Sequence, residues 1–116
     1  MIDHIAKPEI ASGALEPWAT NLAPFSELPH VRCKLSGMVT EADWASWRPD
    51  DLRPYVDRVL ATFGPDRLLF GSDWPVCLLA ASYGQVVDTT RSLLDDLDRD
   101  ELAAVFGGTA ARVYRL

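Results

Sequence analysis

An aspartate follows an apolar run in Leu68-Leu69-Phe70-Gly71-Ser72-Asp73-Trp74-Pro75. The run is short and apolar at successive positions, as in a parallel strand covered on both faces. A carboxylate just beyond such a strand can ligate a metal, or take a proton from a water attacking a carbonyl. An aspartate there can equally cap the following turn. His4 has a comparable place, after the stub Met1-Ile2-Asp3 and shortly before Lys7-Pro8. An imidazole in that position can polarise a carbonyl or bind a metal, although one so near a terminus can also be merely exposed. His30 precedes a strand, the wrong end for such a site, and reads as surface.

Further candidates come from the strand Val31-Arg32-Cys33-Lys34-Leu35. Its alternation puts Val31, Cys33 and Leu35 on one side and Arg32, Lys34 and Ser36 on the other. Lys34 and Ser36 are candidates to grip a carboxylate or hydroxyl of a substrate; a buried ion pair and a simple turn are the plainer readings. Trp44, Trp47 and Trp74 could wall a pocket for a small cyclic ligand, or could serve as packing.

The elements that must position these groups alternate. A strand stub over 1–4 leads to a helical region between Pro17 and Leu28, which Pro24 breaks or kinks. The strand over 31–35 is followed by Thr40-Glu41-Ala42-Asp43, a short helix start. A better helix spans Arg53 to Phe63, with Pro54 in its first turn and Val56, Val59, Leu60 and Phe63 on one face. After the strand over 68–71, a helix is expected from about Gly84 to Leu97. Asp98 and Glu101 form a capping box for another; Gly107-Gly108 stops it, and Thr109 caps a last turn carrying Val113 and Tyr114 inward. Alternating strands and helices imply an α/β fold with a parallel sheet. His4, Ser36 and Asp73 stand 32 and 37 positions apart, near the roughly 31 residues per unit of a (β/α)8 barrel. A doubly wound sheet gives similar spacing.

Composition bounds the remaining possibilities. The 116 residues make one modest domain, and the apolar share of 48% is that of a globular chain. A net charge of −6 with only two lysines argues against nucleic-acid binding. Cys33 and Cys77 form no metal-ligand cluster and read as buried thiols of a cytoplasmic protein. No apolar run approaches the ~20 residues of a membrane span, and the first residues do not resemble a signal peptide.

Together, Asp3-His4-x-x-Lys7-Pro8, Cys33-Lys34-Leu35-Ser36-Gly37, Thr40-Glu41-Ala42-Asp43-Trp44 and Gly71-Ser72-Asp73-Trp74-Pro75 resemble the C-terminal part of the amidohydrolase superfamily. The likeness is to its sugar-lactone hydrolases of the L-fuconolactonase and L-rhamnonolactonase type. It runs over essentially the whole chain, to Gly108-Thr109-Ala110-Ala111-Arg112-Val113-Tyr114. The resemblance implies a distorted (β/α)8 TIM barrel, with residues 1–116 supplying the sixth to eighth strands and their helices. It makes Asp73 the general base toward water and then the proton shuttle to the leaving alkoxide. His4 would lie near the lactone carbonyl, and Lys34, Ser36, Trp44 and Trp74 would meet a sugar lactone. The group resembles metal-using and metal-free enzymes alike, so a divalent ion such as zinc, held by His4 and Asp73, is left open. Metal-dependent decarboxylation, amide hydrolysis and an inactive remnant are the competing readings. Members are about two and a half times this length and begin with a histidine-bearing strand. The expectation is therefore a fragment, with Met1 marking a truncated or misassigned frame, whose open edge self-associates or needs a missing half.

Overall fold

A computed structural model describes residues 1–116. Two strands, β1 (Cys33–Leu35) and β2 (Leu68–Phe70), pair in parallel, with Cys33 opposite Leu68 and Leu35 opposite Phe70. Ile2 adds a parallel bridge to Cys33 on the other side of β1, through its amide to Arg32 O and its carbonyl to Lys34 N, each at 2.8 Å. The three expected strands are thus side by side in chain order, and helices make the crossovers, as a β/α arrangement requires.

Alternation along the strands sorts the side chains as expected. Cys33, Leu35 and Leu68 enter the main core with Leu52, Tyr55, Val56, Val59 and Phe63. Those five recur at the i, i+3, i+4, i+7 spacing of one face of α2 (Pro49–Phe63), so a single helical stripe covers the sheet. Phe70 stacks on Phe106, ring centroids 4.7 Å apart. Lys34 and Ser36 leave β1 on the opposite side, where they meet Asp3 and His4.

Several boundaries differ from the sequence reading, each for a local reason. Helix α2 begins at Pro49 and not at Arg53. Proline suits the first helical position, and Asp51 accepts the Arg48 amide at 2.8 Å; Pro54 consequently lies inside the helix. Between Pro17 and Leu28, α1 (Trp18–Leu22) tightens at Pro24 into a 3-10 turn over Ala23–Glu27. Residues 40–43 form turns, because the Asp43 carboxylate takes the amides of Ala45 and Ser46 at 3.0 and 3.1 Å. Helix α3 (Tyr83–Leu93) is opened by a Ser82–Gln85 capping box and stops four residues before Leu97. The Asp98–Glu101 box does open α4 (Arg99–Ala103). Gly107-Gly108 does not end the chain's helical course: a wide turn over Ala104–Gly108 leads into α5 (Thr109–Tyr114). Thr109 is no cap there; fully buried, it donates toward Pro65 O and Asp66 O at 3.5 and 3.4 Å and ties α5 to the start of β2. Tyr114, expected inward, is 52% exposed.

Arg67 holds the underside of the sheet together. Its guanidinium donates to five backbone carbonyls: Phe63 and Thr62 at the end of α2, and Phe25, Ser26 and Leu28 after α1, at 2.8–3.3 Å. A planar fork with five donors fits this task, whereas an ammonium presents three from one point. Arg67→Lys is expected to lower unfolding free energy by about 2–4 kcal/mol, measured by urea denaturation; an unchanged midpoint would contradict this role.

Candidate active site

His4, Ser36 and Asp73 come from three adjoining strand ends and meet. The His4 Nδ1 lies 2.9 Å from Ser36 Oγ, and its Nε2 lies 3.8 Å from Asp73 Oδ1. The first is a hydrogen bond. The second is too long to be one and leaves both groups free to engage a shared third atom. The two side chains are 38% and 19% exposed, so they are accessible from one side and screened on the others.

Two glycines make the meeting possible. Gly71 donates to Leu35 O at 3.1 Å, and a Cβ there would stand 3.0 Å from Ser36 Cβ. Gly37 has φ +65°, and a Cβ on it would lie 2.7–2.9 Å from the His4 ring. The imidazole therefore rests directly on the Gly37 backbone. Asp73 itself has φ +58°, a left-handed value that aspartate tolerates better than most residues.

The backbone carrying His4 is less ordinary. His4, Ile5, Ala6 and Lys7 have φ of 50, 47, 63 and 52°, one left-handed turn without a glycine. Such backbone costs roughly 1–2 kcal/mol per residue for L-amino acids, so the surroundings must hold it. The Ile5 side chain is fully buried in the core, and the Trp18 indole N–H donates to Ile5 O at 2.7 Å. Lys7, at the end of the turn, pairs with Glu41 at 3.2 Å.

The other expected site residues lie differently. The Lys34 ammonium contacts the Asp3 carboxylate at 2.7 Å, beside the Tyr114 hydroxyl. This contact holds Asp3 below the ordinary carboxylate range and Lys34 above the ordinary lysine range. A depressed acid stabilises the fold above its unfolded pKa, and a raised base does so below its own. The pair therefore contributes across neutral pH and is lost at both extremes. Ser36 is 4% exposed and faces the His4 ring. Trp74 is 62% exposed. Trp44, 52% exposed, donates its indole N–H to Thr40 O, whereas the Trp47 indole reaches Ala80 O at 2.9 Å and pins the loop after β1 to the one after β2. His30 is exposed. Gly37 and Trp18 escaped the sequence reading; Ser36-Gly37 looks like any turn, and the partner of an indole N–H is a matter of tertiary structure.

The donors within this chain do not complete a zinc site. His4 and Asp73 are two ligands where zinc takes four, three of them from protein even in open sites. Asp3 is occupied by Lys34. Both cysteines are buried and unpaired; burial pushes the Cys33 thiol up to about 12, and burial likewise raises Cys77, helped by the Asp73 charge. Neither supplies thiolate at neutral pH. Both thiols are expected to resist a disulfide exchange reagent at pH 8 until denaturant is added, which absorbance would follow; rapid reaction of the folded chain would count against their burial.

An imidazole and a carboxylate converge at the carboxyl ends of parallel strands, the end where β/α barrels place their sites. The amidohydrolase family profile matches residues 1–116, and the chain belongs to that family. It is 48% identical to an L-fucono-1,5-lactonase of Burkholderia multivorans, over all of this chain and 43% of that protein. It is 44% identical to an L-fucono-1,5-lactonase of Burkholderia ambifaria, over all of this chain and 41% of that protein. A crystal structure of a Burkholderia multivorans amidohydrolase with bound zinc superposes with a TM-score of 0.90 at 49% identity, covering 98% of this chain and 43% of that one. The chain thus spans under half the length of these relatives, and its fold is part of a TIM barrel. No helix is long and apolar enough to cross a membrane.

Proposed function

We propose that residues 1–116 are the C-terminal part of a single barrel domain that hydrolyses a sugar lactone, with Asp73 as general base. The observation that carries this is the approach of His4 Nε2 to Asp73 Oδ1, 3.8 Å apart at adjoining strand ends. Asp73 takes a proton as a water oxygen bonds to the lactone carbonyl carbon. His4 donates a hydrogen bond from Nε2 to the carbonyl oxygen as it gains charge. The ring C–O bond then breaks, and Asp73 returns its proton to the departing alkoxide, leaving an open-chain sugar acid. The two lactonases support the substrate class.

The remaining roles follow from position. Trp74 and Trp44 supply apolar surface for the sugar ring, and the Asp3–Lys34 pair presents a charged patch on the same side of the sheet. Ser36 acts through His4 and does not grip the sugar. A metal-assisted variant draws support from the zinc-bound relative and requires ligands from outside this chain. The far edges of β2 and of the stub at Ile2 have no strand neighbour, so the isolated chain is proposed to self-associate through them or to accept the rest of a barrel.

A panel of aldonolactones and amides tests the reading. Acid release from lactones alone supports it, whereas turnover of amides, or of neither class by a protein containing the whole barrel, overturns it.

A further inference from the structure

The side-chain direction of His4 depends on its own φ and on those of the next three residues. All four are left-handed, and a right-handed turn there would swing the imidazole away from Ser36 and Asp73. Two amides close the turn internally, Ala6 N to Asp3 O and Lys7 N to His4 O, each at 2.9 Å. Both would also form in a right-handed turn, so they do not select its hand. Selection must come from groups that fit Ile5 only in its present orientation. The Ile5 side chain is fully buried in the core, and the Trp18 indole N–H meets the Ile5 carbonyl at 2.7 Å.

The indole is well held. Trp18 lies on α1, and its ring packs against Tyr55 with centroids 5.4 Å apart. Tyr55 is 1% exposed, and its hydroxyl donates to Ala14 O at 2.9 Å. We propose that Trp18 is a positioning residue: its indole N–H, through Ile5 O, selects the left-handed turn that aims the His4 imidazole at Ser36 and Asp73. The proposal rests on His4 serving the site, but its test needs no substrate.

The readout is the hydrogen bond at His4 Nδ1. Ser36 Oγ has no other side-chain or backbone partner; on this proposal it donates to Nδ1, which leaves the ring proton on Nε2, facing Asp73. A long-range proton–nitrogen NMR spectrum of a protein containing the whole barrel, with His4 and His30 assigned by substitution, should show widely separated His4 nitrogen shifts, the sign of one fixed tautomer, while exposed His30 shows averaged ones. Trp18→Phe keeps a ring against Tyr55 and removes only the donor; the His4 nitrogen shifts are expected to collapse toward those of His30. Adding Ala6→Gly should then restore the separation. Ala6 is exposed at φ 63°, and glycine enters that region without strain.

A merely structural tryptophan would not be rescued by a backbone change it does not touch. Averaged shifts in the wild type, unchanged shifts in Trp18→Phe, or loss that Ala6→Gly does not reverse would each overturn the proposal. If Trp18→Phe alone does not fold, the double variant decides: recovery of the fold and of the fixed tautomer supports the proposal, and failure to recover either overturns it. Absence of lactone turnover alongside a fixed His4 tautomer would defeat the lactonase reading and leave this one standing.

Discussion

Asp73→Asn is expected to lower lactone turnover by about 10³-fold, the usual worth of a positioned general base, with little change in thermal midpoint. The substitution is close to isosteric and removes the carboxylate that lies 3.8 Å from His4 Nε2. Asparagine also tolerates the left-handed backbone that Asp73 adopts at φ 58°. A loss of activity can therefore be read as lost chemistry and not as a disturbed loop. Initial rates on an aldonolactone, followed by acid release from the barrel-complete protein, are the measurement. A rate within a few-fold of the parent would remove Asp73 from the reaction.

Gly37→Ala should produce the second large effect, through geometry alone. The new methyl would enter the volume of the His4 ring, 2.7 Å from Nδ1, and the ring would have to leave its bond to Ser36. Displacement of a reacting group by about an ångström costs on the order of 10²-fold in rate. The left-handed φ of +65° adds about 1–2 kcal/mol of lost stability. Gly13→Ala separates the two terms. Gly13 has a similar φ of +74° with open space around it, so the backbone penalty appears there without an effect on turnover. Equal activity losses in the two variants would mean that His4 does not need its seat.

The path from residues to site was short for Asp73 and long for His4. Apolar continuity over Leu68–Phe70 placed a strand, and alternation assigned Lys34 and Ser36 to the side that proved to hold the polar contacts. Those signals are local, with a fixed period. The turn over residues 4–7 carries no local signal at all, because Ile, Ala and Lys disfavour the hand they adopt there; tertiary contacts override them. Thr109 misled for the converse reason. Its type and place suit a cap, but the nearest acceptors belong to Pro65 and Asp66, more than forty residues away. Helix α2 shows a signal that was present and outweighed: Pro49 and Asp51 mark its start, while the second proline at 54 drew the boundary inward.

The fan of carbonyl bonds around Arg67 lies at the amino ends of the strands, opposite the end where His4 and Asp73 meet. Rigidity and chemistry are therefore housed on separate floors of the same sheet. Exposed positions of the upper loops, such as Trp44, can therefore change without reaching the foundation below, whereas Ala42 and Trp47 of the same stretch belong to the core and to the tie between the loops. Replacing Trp44 alone, 52% exposed, should accordingly leave the melting temperature where it was, whereas Trp47→Ala, which cuts the tie to Ala80, should lower it.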